Sequence, residues 1–72
     1  MEVQRSLGER IRALRKSQGL TQETLAERAE LHVTYISGVE NGSRNPSLTA
    51  LASLAKGFGI SLAQLMEGVT GA

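Results

Sequence analysis

Residues His32–Ser47 read "HVTYISGVENGSRNPS". After Val33 the only aliphatic residues are Ile36 and Val39, three apart, the spacing of one face of a short helix. Thr34, Tyr35, Ser37 and Gly38 remain for the other side. These are small or hydrogen-bonding residues, whereas a solvated helix face usually has Lys and Glu. A polar loop with Asn41, Arg44 and Asn45 follows, and Pro46 rules out helix at Asn45. The stretch is therefore a helix of about two turns and a loop.

Helical patterns extend outward in both directions. Upstream, Thr21 is placed to N-cap a second short helix with Leu25, Ala26 and Ala29 as a narrow apolar stripe. Glu30-Leu31-His32 interrupts that stripe, and His32 substitutes as the N-cap of the next helix. Earlier still, Val3, Leu7, Ile11 and Leu14 recur at spacings of three and four. Arg5, Arg10, Arg12, Arg15 and Lys16 take the other face, and Gly19 sits where a left-handed C-terminal cap is needed. Ser6 and Glu9 have capping-box spacing, which would leave Val3 outside this helix.

Downstream, Ser47 caps a fourth helix whose Leu48, Leu51, Ala52, Leu54, Ala55 and Phe58 form a broad, largely buried stripe. Gly57 and Gly59 close it. Ser61 with Gln64 has the spacing of another capping box and opens a last helix with Leu62, Leu65 and Met66, reaching toward Val69. The expected fold class is all-α, a compact bundle of five short helices. It forms a single domain over the whole chain, with its core from about Leu7 to Glu67 and frayed residues at Thr70, Gly71 and Ala72.

Bulk properties exclude most other function classes. Seventy-two residues make one domain near the lower size limit, and the absence of cysteine removes disulfides and thiolate zinc sites. No apolar run approaches the roughly 20 residues of a membrane span, and Met1–Leu7 has no signal-peptide core. The chain is expected to be soluble and cytoplasmic. One histidine, no carboxylate pair bracketed by polar groups and no glycine-rich phosphate loop argue against an enzyme. No catalytic residue, metal, cofactor or small-molecule substrate is expected. A net charge of +1 is only mildly basic, so any nucleic-acid binding must depend on where the charges sit.

The second and third helices are joined by a turn too tight for antiparallel stacking. That is the helix-turn-helix layout, whose second helix is carried in the DNA major groove. The run "GLTQETLAERAELHVTYISGVENGSRNPSLTALASLAKGFGISLAQL" resembles helix-turn-helix domains of the Cro and phage-repressor type. The resemblance extends from about Leu7 to Met66. It rests on Gln22 opening helix two, Leu25-Ala26 packing it, Ile36 and Val39 anchoring helix three, Glu40-Asn41-Gly42 ending it, and Pro46-Ser47 starting helix four. Within the family, "LHVTYISGVENGSRN" is most similar to controller proteins of restriction–modification systems.

The resemblance implies a lambda-repressor-like fold and a transcriptional regulator that binds an inverted-repeat operator in double-stranded DNA as a homodimer. The third helix then enters the groove, because short side chains let its backbone approach the bases and hydroxyls can meet base edges. Base contacts are expected from Val33, Thr34, Tyr35, Ser37 and Arg44, and backbone contacts from Gln22, Asn41 and Ser43. Arg15 and Glu40 match positions that form a partly buried structural ion pair in the family. The last helix has more apolar surface than a monomer should need, so Leu62, Leu65, Met66 and Val69 are expected at the dimer interface.

Two residues depart from the pattern. Glu30 stands at the turn where the family usually has glycine, and Val33 stands where controller proteins often place arginine. Valine offers only apolar contact, for instance to a thymine methyl. The rival functions are an antitoxin-type DNA-binding protein with a protein partner, and a helical interaction module that does not bind DNA.

Overall fold

The computed structural model describes residues 2–71. Among these are five helices and no strand: α1 (Glu2–Ser17), α2 (Gln22–Ala29), α3 (Val33–Glu40), α4 (Leu48–Phe58) and α5 (Leu62–Leu65). Local chemistry sets most of the boundaries. Thr21 Oγ1 accepts the Thr24 N–H at 3.0 Å, and Ser47 Oγ accepts the Ala50 N–H at 3.1 Å. Ser61 and Gln64 form the full capping box. Gly19 and Gly59 take left-handed conformations at the ends of α1 and α4.

Glu30 keeps the left-handed turn without being glycine, at φ 57° and ψ 41°. Its N–H and that of Leu31 return to the carbonyls of Glu27 and Ala26 at 3.2 and 2.9 Å. These bonds hold a conformation that costs a side-chain-bearing residue about 1–2 kcal/mol.

Both chain ends differ from expectation. Helix α1 begins at Glu2, so Val3 lies inside it and Ser6 is no cap. Ser6 Oγ instead accepts the N–H of Thr70 at 3.1 Å, and Gly71 lies beside Val3. Thr70 and Gly71 thus lie beside α1, and Ala72 lies outside the described residues. Helix α5 is a single turn. The backbone turns away after it, with Gly68 at φ 81°, and Val69 folds back onto the core.

The core joins all five helices. Ile11, Leu25, Ile36, Val39, Leu54 and Leu65 are its most fully buried side chains. Helix α2 packs chiefly against α4, while α1 and α2 together support α3. Leu65 is 0% exposed, so it belongs to the core and not to a dimer interface. Leu62, Met66 and Val69 are half-buried against the same core, so less apolar surface is left over than the stripe suggested.

Helix α1 meets the end of α3 at Gly8. A Cβ there would lie 2.5 Å from the Val39 carbonyl oxygen and 2.6 Å from that of Glu40. Only glycine permits this approach, which seats the last turn of α3 directly on α1.

Candidate nucleic-acid interface

Helix α3 starts at His32, whose Nδ1 accepts the Thr34 N–H at 3.2 Å. Ile36, Gly38 and Val39 face inward and are buried, leaving one side of the helix uncovered. Thr34 is exposed and Ser37 half-buried. Neither side-chain hydroxyl is engaged by another group among the described residues. Two hydroxyls without partners on a rigidly seated helix are available to an outside ligand.

Two residues of the expected outward face are placed differently. Val33 is half-buried and packs against the core, so part of its surface is already spent there. Gly38 is buried beneath the Arg44 side chain, and a Cβ at residue 38 would lie 2.7 Å from Arg44 Cγ. The Gly38 carbonyl accepts the N–H groups of Ser43 and Arg44 at 3.0 and 3.1 Å. Gly38 is therefore the seat on which the following loop rests.

That seat positions Arg44. Its guanidinium carbon lies 5.2 Å from the centroid of the Tyr35 ring, a cation–π stack. Tyr35 is half-buried, with its ring against the core and under Arg44 at once. Asn41 Oδ1 accepts the Ser43 N–H at 2.9 Å, which leaves the Asn41 amide hydrogens to donate elsewhere. The Ser43 hydroxyl donates to the Gly38 carbonyl at 3.3 Å, so its first role is to close the loop.

Arg15 and Glu40 form the expected ion pair. Arg15 Nε meets Glu40 Oε2 at 2.6 Å and Nη2 meets Oε1 at 3.1 Å, with the two side chains 12% and 5% exposed. Arg15 Nη1 also donates to the Leu20 carbonyl at 2.8 Å. The hydrogen bonding to Glu40 raises the Arg15 pKa; burial opposes this and the Glu40 charge adds to it. Gln22 Nε2 donates to Glu40 Oε1 at 3.2 Å, so the pair also anchors the first side chain of α2. One amide hydrogen and the carbonyl oxygen of Gln22 remain for other partners.

Gln22, Ser37 and Asn41 come together with Arg12, Arg15 and Glu40 around one shallow polar cleft between α1, α2 and α3. Arg12 was legible in the sequence only as one of several cations on α1. Thr34 and the Tyr35–Arg44 stack lie outside this cleft. Among the described residues no cluster of His, Asp and Glu could hold a metal ion. No described helix is long and apolar enough to cross a membrane.

Two short helices set at a fixed tight turn, the second presenting unengaged hydroxyls and amides, define a helix-turn-helix domain of the Cro and phage-repressor type. The chain belongs to the helix-turn-helix family, with the match covering residues 11–65. It is 41% identical to control protein C.SmaI of Serratia marcescens, over 92% of this chain and 79% of that protein. It is 46% identical to the transcriptional regulator DdrOP3 of Deinococcus deserti over 88% of this chain. It spans only 49% of that regulator's length and 42% of the immunity repressor of Bacillus phage phi105.

Solved structures agree with the fold. The restriction–modification controller protein C.AhdI of Aeromonas hydrophila superposes with a TM-score of 0.84 at 42% identity, covering 86% of this chain and 94% of that one. The controller protein C.Esp1396I, solved as a tetramer on its natural 35 base-pair operator, gives a TM-score of 0.89 at 33% identity, covering 96% and 91%.

Proposed function

We propose that the protein is a sequence-specific transcriptional regulator of the restriction–modification controller kind. It binds an inverted-repeat operator as a homodimer and has no enzymatic role. The observation that carries this reading is the face of α3, where the Thr34 and Ser37 hydroxyls lack partners, and the Arg44 guanidinium stacked on Tyr35. In the major groove Thr34 and Ser37 meet base edges, Val33 offers its remaining apolar surface, and Tyr35 presents Arg44. Gln22 and Asn41 meet the DNA backbone, and Ser43 closes the loop that follows α3. The likeness to C.SmaI and to C.Esp1396I on its operator supports the same reading.

Thr34→Ala is expected to relax discrimination at one base position, at a cost of about 1–3 kcal/mol. Arg44→Ala is expected to weaken binding and, if Arg44 also meets phosphate, to lower the salt slope by about one per protomer. Both residues are exposed, so both variants are expected to fold, which thermal unfolding checks. Quantitative binding to a selected duplex and its single-base variants measures these effects. Wild-type affinity for every sequence in both variants would remove α3 from the reading role.

One recognition helix touches too few base pairs to be selective, so two are needed, set about 34–36 Å apart on adjacent turns. With Leu65 in the core, the dimer surface falls to the half-buried Leu62, Met66 and Val69 at the α5 end. Leu62→Glu together with Met66→Glu is expected to give a monomer with much weakened operator affinity. Sedimentation of wild type and variant checks this. A wild-type monomer at tens of micromolar, bound as one copy per minimal site, contradicts the dimer.

A further inference from the structure

Helix α1 is gripped on two opposite sides. At about 100° per residue, Gly8 and Arg15 fall on one side of it and Ser6 and Arg10 on the other. The first side carries the end of α3, through the close approach at Gly8 and the Arg15–Glu40 pair. The second side carries the end of α5 and the chain beyond it. Arg10 Nη2 donates to the Gln64 carbonyl at 2.8 Å, and Arg10 Nε to that of Leu65 at 3.2 Å. One turn earlier in α1, Ser6 Oγ accepts the Thr70 N–H at 3.1 Å.

These anchors supply what α5 lacks. It is a single turn of 4 residues, too short to be stable alone, and its last carbonyls have no partners within the helix. The Ser61–Gln64 box closes only its N-terminal end. Among the described residues no backbone N–H reaches the Leu65 carbonyl, so the Arg10 fork acts as the C-terminal cap. Met66 and Val69, two of the three residues assigned to the dimer surface, lie within the stretch from Gln64 to Thr70 that α1 holds.

We infer that α1 is the spacer between the reading helix and the dimer surface, with Arg10 the positioning residue that sets which half-site spacing the dimer accepts. The inference rests on the proposed homodimer. In a two-fold dimer, the separation of the two α3 helices is set by how far each lies from its own dimer surface. One base pair inserted between half-sites moves them apart by about 3.4 Å and turns them by about 35°. A segment clamped to α1 by a planar fork cannot follow that change without breaking the fork's hydrogen bonds. Released from Arg10, the segment shifts while Gly8 and Glu40 keep α3 seated. Arg10 thus acts through where it puts Met66 and Val69, not by meeting DNA.

The test measures binding of the full chain as wild type, Arg10→Met and Arg10→Lys. Three duplexes are used: the inverted repeat recovered by selection, that repeat with one base pair inserted at its centre, and a single half-site. The quantity read is the ratio of the first affinity to the second. Wild type is expected to prefer the native spacing. Arg10→Met is expected to cut that preference by about tenfold, the worth of one charge-assisted hydrogen bond, and to leave half-site affinity unchanged. Arg10→Lys, which still reaches one carbonyl, is expected to fall between. Circular dichroism establishes that the variants are folded, and where Arg10→Met melts, Arg10→Lys decides by the same ratio. Equal wild-type affinity for both spacings, an unchanged ratio in the folded variants, or half-site affinity that falls in step with operator affinity overturns the inference. A monomeric wild type overturns the homodimer, and the spacer with it.

Discussion

Gly8→Ala is expected to leave most of the chain unfolded, although alanine is the better helix former by about 1 kcal/mol. The added methyl would sit 2.5 and 2.6 Å from the carbonyl oxygens of Val39 and Glu40. These are backbone atoms in the last turn of α3, so no side chain can rotate away to make room. Overpacking of this kind costs about 1–3 kcal/mol where side chains absorb it, and more where a helix must shift. A single core in a domain this small supplies little more than about 3–5 kcal/mol in total. Gly57→Ala provides the comparison: its methyl would meet Ala29 at 3.1–3.3 Å, so the neighbour need give by only a few tenths of an ångström. Guanidinium unfolding followed by circular dichroism checks the pair. A Gly8→Ala midpoint at or above that of wild type contradicts the close approach of α1 to α3.

Glu40→Ala is expected to have the second largest effect. It strands the Arg15 guanidinium, 12% exposed, and releases Gln22 from its anchor. Removing one partner of a buried pair costs about 3–5 kcal/mol, because the remaining charge has lost both its counter-charge and its water. Glu27→Ala, on the exposed side of α2, is expected to stay within about 0.5 kcal/mol of wild type. Replacing both members by Met is expected to recover much of the loss. Equal melting curves for Glu40→Ala and Glu27→Ala would show that Arg15 is free in solution.

Most helix boundaries were legible because their causes are local. Thr21, His32, Ser47 and the Ser61–Gln64 box each meet a backbone N–H within three residues. Ser6 has the same local pattern and does something else, because Thr70, distant in the chain, takes its oxygen. The stripe Leu62, Leu65, Met66 and Val69 suggested a longer helix and a larger interface. Gly68 ends that pattern, and the core takes in Leu65 entirely.

The interface was legible to the same degree. Thr34, Ser37 and Arg44 stand out by residue type next to the anchors Ile36 and Val39. Gly38 looks identical to an outward-facing small residue until the loop is seen to lie on it. Gly8 gave no signal of its own, because its importance depends on which helix crosses it.

The most direct measurement is selection of bound fragments from random duplex DNA by the wild-type protein, repeated with Thr34→Ala. The expected result is enrichment of an inverted repeat with half-sites centred about one helical turn apart. In Thr34→Ala one symmetric position should lose its preference while the rest of the repeat persists. Fragments no different from the input, or enrichment unaltered at every position in Thr34→Ala, would contradict α3 as the reader of an operator.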